Sequence, residues 1–162
     1  MDKSLKFYLE NLGITYKKHE HPAVFTVKES RKIKSQFPAL GTKSLFLKSD
    51  KGNFYLVCMP GEKRLNIKKL RKSLKERKLH FASSEELNEY LNVTPGSVSI
   101  FCTIHANSTN LHLLVDKEVW FADSVGFHPN INTSTLEVSH SDLEKFYNSL
   151  KIKKQIINLE SG

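Results

Sequence analysis

Between Lys43 and Met59 the chain runs through an apolar stretch, a polar break and a second apolar stretch: Ser44-Leu45-Phe46-Leu47, then Asp50-Lys51-Gly52-Asn53, then Phe54-Tyr55-Leu56-Val57. Two strand-length runs around a glycine-containing polar tetrapeptide predict a β-hairpin. Before it, Leu5, Tyr8, Leu9 and Leu12 fall at helical spacing and stop at Gly13, a residue suited to the left-handed conformation after a helix end. Ile14 and Tyr16 then alternate with polar neighbours toward His19, which predicts a short strand ending before the turn at His21-Pro22. Thr26 and Glu29 have capping-box spacing and predict a short helix from Val27 to about Ser35.

After the hairpin, Asn66 is placed to cap a helix whose apolar residues Ile67, Leu70 and Leu74 share one face, which throws the lysines and arginines onto the other. Lys78 to Ala82 reads as a strand, and Ser83 with Glu86 forms a second capping box for a helix holding Leu87, Tyr90 and Leu91, broken by Thr94-Pro95-Gly96-Ser97. Val98 to Ile104, Leu111 to Val115, Glu118 to Phe121 and Thr133 to Val138 are strand candidates, with Asn107 to Asn110 as a polar turn. A last helix carries Leu143, Phe146, Tyr147 and Leu150, and Ile152 to Leu159 closes the chain as a strand. Strands and helices interleave without repeat or linker, so one α+β or mixed-sheet unit is expected over residues 1–162.

The longest apolar runs, such as Phe54 to Met59, are far too short to cross a bilayer. Residues 1–12 carry Asp2, Lys3, Lys6 and Glu10 and lack the apolar stretch and cleavage site of a secretory signal, so a soluble cytoplasmic protein is expected. Cys58 and Cys102 have no CxxC spacing and sit in apolar runs, where buried free thiols are expected rather than a disulfide. The 25 Lys and Arg against 17 Asp and Glu leave a formal charge of +8, which attracts a polyanion at long range. Nine of the basic residues lie between Lys63 and Lys78, where Glu76 is the one acid. Such a cluster is either a solvated helix face or a nucleic-acid surface, and clustering alone does not choose.

Seven histidines (His19, His21, His80, His105, His112, His128 and His140) invite a metal site, yet no HExxH and no histidine-carboxylate set shares one predicted element. There is no GxSxG elbow, no evident base beside either cysteine and no Gly-rich phosphate loop. From the residues alone the reading stops at a soluble basic α+β domain with a capacity for anions or nucleic acid.

Four segments, taken in order, resemble the YbaK/ProX prolyl-tRNA editing family: His21-Pro22-Ala23-Val24-Phe25-Thr26-Val27-Lys28-Glu29, Gly41-Thr42-Lys43-Ser44-Leu45-Phe46-Leu47-Lys48, Val93-Thr94-Pro95-Gly96-Ser97-Val98-Ser99, and Val125-Gly126-Phe127-His128-Pro129 with Asn132 and Thr135. The resemblance spans helix one to about Leu150 and lies nearest the free-standing alanyl-tRNA(Pro) deacylases, with the cysteinyl-tRNA(Pro) branch as the alternative. It implies a single-domain α+β fold, a mixed, strongly curved sheet flanked by helices, and hydrolysis of mischarged tRNA(Pro) without metal or other cofactor. It also admits a non-catalytic tRNA- or synthetase-binding module of the same fold.

On the family's pattern, Lys43 holds the aminoacyl carbonyl or a nearby phosphate, Gly96 and Ser97 with Val98 form the substrate loop, and His128 lines the pocket or orients the substrate. Ser44 and His21 are expected beside the amino acid; Lys48, Lys78, Lys68 and Arg71 are expected on the tRNA(Pro) acceptor stem; prolyl-tRNA synthetase is an admitted partner. No catalytic nucleophile is required, because the substrate's own 2′-hydroxyl can orient or activate water. The chain departs from the pattern at Ser44, where many relatives carry asparagine, at Ile100, and through Phe101-Cys102-Thr103-Ile104-His105-Ala106. Those changes bear on amino-acid preference.

Overall fold

The computed structural model describes residues 1–22, 39–106, 110–131 and 133–160. The helix expected from Val27 to Ser35, most of the turn from Asn107 to Asn110, and Asn132 therefore lie outside the described residues.

The expected hairpin is the centre of the molecule. Strand β2 (Leu40–Ser49) turns at Gly52, whose φ of 83° is open to glycine, and returns antiparallel as β3 (Phe54–Pro60), in register from Lys48↔Phe54 to Thr42↔Pro60. Every residue of β3 is buried, because β2 flanks it on one side, β5 (Leu111–Asp116) on the other, and cores cover both faces. Phe54, Leu56 and Cys58 enter the larger core; Tyr55, Val57 and Met59 enter the smaller. A strand enclosed in this way has no polar side to show, hence its unbroken apolar sequence.

The other strands are β1 (Lys17–Glu20), β4 (Leu79–Phe81), β6 (Ser124–Phe127), β7 (Ser134–Ser139) and β8 (Lys153–Ile157), in the order β1-β7-β6-β2-β3-β5-β8 with β4 beside β2. The β2–β6, β3–β5 and β5–β8 pairs are parallel and the rest antiparallel, so the sheet is mixed as expected. Helices α1 (Lys3–Asn11), α3 (Ser84–Leu91) and α5 (His140–Ser149) give Leu5, Leu9, Leu87, Leu91, Leu143 and Phe146 to the larger core. Helix α2 (Ile67–Ser73) covers the smaller core with Leu70. The predicted caps are in place: Asn66 accepts from the Lys69 N–H, and Ser83 and Glu86 exchange both bonds of a capping box.

Two expected strands are helical instead. Val98 to Ile104 contains a 3-10 helix, Ile100–His105, started by the Ser99 hydroxyl accepting from the Phe101 N–H, and buried through Ile100, Phe101, Cys102 and Thr103. Glu118 to Phe121 overlaps α4 (Lys117–Trp120), capped by Asp116. A short apolar run has no periodicity that separates a buried strand from a buried helical turn; the capping serine and aspartate were the deciding signal. The first strand also starts later than expected, at Lys17, since Ile14 is drawn into the larger core.

The cysteines are buried free thiols, as expected, and burial pushes Cys58 up to about 12 and Cys102 up to about 11. Among the described residues, no helix is long and apolar enough to cross a membrane.

The basic cluster is less uniform than the sequence implied. Lys68, Lys69 and Lys72 are exposed, but the Arg71 guanidinium turns inward and donates to the Glu76 carbonyl at 3.1 Å. Lys63 is nearly buried: its ammonium lies 2.6 Å from both Asp116 and Glu118 and donates to the Leu159 carbonyl at 3.1 Å. Asp116 is fully buried, so removing Lys63 strands a carboxylate charge out of water. We expect Lys63→Met to lose about 3 kcal/mol in urea unfolding and Lys68→Met to stay within about 0.5 kcal/mol of wild type.

Candidate functional site

The site forms where β2 changes neighbours. Its first residues run parallel to β6, Leu40 against Val125 and Gly41 against Gly126, and the Thr42 hydroxyl donates to the Gly126 carbonyl at 2.7 Å. The β6 ladder stops there, and the β4 ladder begins only at Leu47↔Phe81. Between them, Lys43 to Leu45 is laddered on the β3 side alone among the described residues, so on its other side this stretch of β2 pairs with no described strand between the end of β6 and the end of β4.

The pleat decides which side chains look the same way. Val125, Phe127, Leu136 and Val138 enter the larger core, as does Phe46 of β2. Their alternates therefore occupy the opposite face: Lys43, Gly126, His128, Thr135 and Glu137, joined across the β1–β7 ladder by His19. Lys43 and His128 each stand two residues past the Gly41–Gly126 pair on strands running in the same direction, so they sit level with one another. His21 completes the group: its Nε2 is 2.9 Å from the Thr135 hydroxyl and its ring meets His128 edge-on at a centroid distance of 6.4 Å. Nδ1 of His128 is 3.3 Å from the Ser134 carbonyl, and Nε2 of His19 is 3.8 Å from the Glu137 carboxylate.

Lys43 is half-buried. Desolvation lowers its pKa below the ordinary lysine value, while the Glu62 carboxylate acts in the opposite sense.

The substrate loop of the sequence reading reaches the same end of β6. Thr94-Pro95-Gly96-Ser97 is a tight turn closed by the Ser97 N–H on the Thr94 carbonyl at 3.2 Å, with proline at its second position and Gly96 at φ 90° in its third. The Ser97 amide is thus engaged within the turn. Ser99 anchors the loop, its hydroxyl 3.2 Å from Oδ1 of Asn130, which Cys102 also approaches at 3.1 Å. Val98 packs against the larger core.

Other expected residues stand apart. The Ser44 side chain points to the face opposite Lys43 and hydrogen-bonds Cys58, its cross-strand neighbour. Lys48 lies on that face too, 2.6 Å from Glu86 and 5.5 Å from the centre of the Phe54 ring. Lys68 and Lys78 are exposed around α2 and β4, away from the histidines. The sequence reading gave Glu137 no role and considered His19 only for metal binding; the alternation of Ser134-Thr135-Leu136-Glu137-Val138 is the signal that could have found the former. Among the described residues, no group of three His, Cys, Asp or Glu side chains is arranged to hold a metal ion. Chemically, the face offers a partly desolvated amine, imidazole and hydroxyl groups able to hydrogen-bond, and a glycine turn whose loop is tied to the segment after β6.

Comparison with known proteins identifies the family. Residues 21–146 match the aminoacyl-tRNA editing domain, a span that includes Lys43, the Gly96 turn and His128. The chain belongs to that family. This member is 35% identical over 138 residues to the prolyl-tRNA editing protein ProX of Acetoanaerobium sticklandii, covering 85% of the chain and 84% of the relative. It is 30% identical over 146 residues to prolyl-tRNA synthetase associated domain-containing protein 1 of Danio rerio, covering 89% and 79%. A solved structure described as a candidate trans-editing enzyme for prolyl tRNA synthetase superposes with a TM-score of 0.75 over 100% of this chain and 99% of its own, at 22% identity, and shows that the editing fold is shared.

The depressed Lys43 pKa fixes the sign of a stability effect. Below that pKa the amine is charged in both states and its burial costs stability; as pH rises through it toward 10.5, the unfolded chain binds more protons and the folded state gains. We expect Lys43→Met to melt at or above the wild-type temperature at pH 7, and to lack the wild-type gain in stability at alkaline pH, measured by thermal denaturation.

Proposed function

We propose that the protein acts in trans as an aminoacyl-tRNA deacylase, hydrolysing the ester of mischarged tRNA(Pro), with alanine as the preferred amino acid and the cytoplasm as its place of action. The reading is carried by one observation: half-buried Lys43 and His128 occupy matching positions, each two residues past the Gly41–Gly126 pair, where the described β2–β6 ladder has ended. Water attack on the ester carbonyl builds negative charge on its oxygen, and a fixed cation in a partly desolvated site stabilises that charge far better than solvent does. On this reading Lys43 faces the carbonyl oxygen or the adjoining phosphate. His128 and His21 line the amino-acid side, and the Gly96 turn closes it with backbone that a side chain would obstruct.

The tRNA itself is held through its acceptor stem by exposed basic residues such as Lys68 and Lys78, and prolyl-tRNA synthetase is the natural donor of the misloaded molecule. Names among the relatives support both: one is a prolyl-tRNA editing protein and another carries a prolyl-tRNA synthetase associated domain. A small pocket admits alanine and rejects proline by size, whereas serine and cysteine differ from alanine too little for strong exclusion. The departures at Ser44 and Ile100 do not weigh against turnover. Ser44 faces Cys58, and Ile100 is fully buried in the larger core, so neither touches the face that carries Lys43.

A deacylation panel of Ala-, Cys-, Ser- and Pro-tRNA(Pro) tests the proposal: alanine release is expected to be fastest and proline to be spared, while release of none of the four rejects it. Lys43→Ala is expected to lower kcat at least about a hundredfold with the fold intact. Because the charged amine is the active form, the wild-type rate in excess of spontaneous hydrolysis should fall as pH rises through the depressed Lys43 pKa, below the 10.5 of ordinary lysine.

A further inference from the structure

Phe81 is the last residue of β4, and 55% of it is exposed. An edge strand gains nothing in stability from an aromatic ring held largely in water, so the position asks for another explanation. Three features of its surroundings point the same way.

First, the ring shares a face with the candidate site. Phe81 pairs with Leu47, and Lys43, Leu45 and Leu47 are alternates on β2, so the pleat turns Phe81 and Lys43 to the same side. Phe81, beside Leu47, and His128, just past the end of β6, flank the stretch of β2 in which Lys43 stands. Second, the separation is short. Four strand residues span about 13 Å, a gap that about four nucleotides cross at the 3.4 Å rise of a stacked strand, and fewer when the strand is drawn out.

Third, the charge is one-sided. Lys75, Arg77 and Lys78 are exposed immediately before β4, and α2, with Lys68 and Lys72 exposed, packs beside it. Of the acids near this end, Glu76 is buried and Glu86 is bound to Lys48, which leaves the exposed Asp50 against the exposed Lys75, Arg77 and Lys78. Helix α3, with Glu85 and Glu89, covers the opposite face through Leu87 and Leu91. A protruding ring beside a basic ridge is the chemistry that holds unpaired nucleic acid, the cations tracking phosphates while a base lies on the ring.

We infer that Phe81 is a stacking platform for a base in the unpaired 3′ strand of the tRNA, and that it fixes the distance between the acceptor stem and the ester at Lys43. This deepens the tRNA reading given above and rests on it. Lys43 acts on the ester, and Phe81 positions the strand that delivers it.

Phe81→Trp supplies the probe, since Trp120 is the sole native tryptophan. The full-length variant and wild type are titrated with an acceptor-stem RNA hairpin ending in its unpaired 3′ strand, and with a blunt hairpin lacking that strand. Saturable quenching by the first RNA, at least about tenfold weaker with the second and unmatched in wild type, is expected. Phe81→Ala should bind the overhanging hairpin about tenfold more weakly than wild type in competition with the tryptophan variant. Equal binding by Phe81→Ala and wild type, or equal quenching by the two RNAs, overturns the inference. Absence of quenching by both also overturns it, leaving Phe81 to a protein contact or a second copy of the chain. Hydrolysis is scored separately: quenching without deacylation of any tRNA sinks the deacylase reading alone, and deacylation without quenching sinks the platform alone.

Discussion

Among the described residues, the strand pairing that joins the β1-β7-β6 side of the sheet to the β2-β3-β5-β8 side consists of Leu40–Val125 and Gly41–Gly126, with the Thr42 hydroxyl on the Gly126 carbonyl. Everything proposed for the site follows from how short that seam is. Because the described parallel ladder ends after two pairs, the next residues out, Lys43 and His128, stand beyond it instead of forming another hydrogen-bonded pair. A longer ladder would have tied up these positions. A shorter one would have left the amine and the imidazole on units free to drift apart, and electrostatic stabilisation of a developing charge depends on the stabilising groups not having to move.

Local chemistry in the sequence recovers the elements that it alone controls. The hairpin is legible because glycine sits where the turn needs it, and α2 and α3 are legible because Asn66 and Ser83 satisfy amide groups that a helix start leaves bare. The 3-10 helix was not, since Ile100-Phe101-Cys102 is equally apolar under either geometry and the deciding signal, the capping Ser99, stands outside that run. The site divides similarly. Lys43, His128 and the Gly96 turn were expected from family resemblance, and only the fold shows that Lys43 and His128 lie just past the β2–β6 ladder and that the loop after Gly96 is tied to Asn130 beyond β6. Ser44 shows the limit of adjacency in sequence: next to Lys43 along the chain, it is turned by the pleat to the other side of the sheet.

The positive charge also separates into two kinds. Lys63 is bound to the fully buried Asp116 and Lys48 to the partly exposed Glu86 of a helix cap, so both charges belong to the architecture. Lys69 of α2 pairs with the exposed Glu160, whereas the exposed Lys68, Lys72, Lys75, Arg77 and Lys78 make no ion pair among the described residues, and a polyanion meets these first. Net charge therefore overstates the area that attracts tRNA and understates how sharply it is localised.

The order in which the strands are made differs from the order in which they pair. Strand β5 lies between β3 and β8, and β8 is later in sequence than every other strand of the sheet. While the protein is being synthesised, β5 must therefore wait with one edge unpaired until residues 153–157 have emerged, and Leu159 after them to finish the smaller core. Parallel pairing between segments so far apart is intrinsically slow, and an apolar strand waiting with an open edge is where a nascent chain sticks to its neighbours. A copy cut short before Lys153 would thus be a hazard in the cell as well as an inactive protein, which makes the C-terminal strand a safeguard for the whole chain.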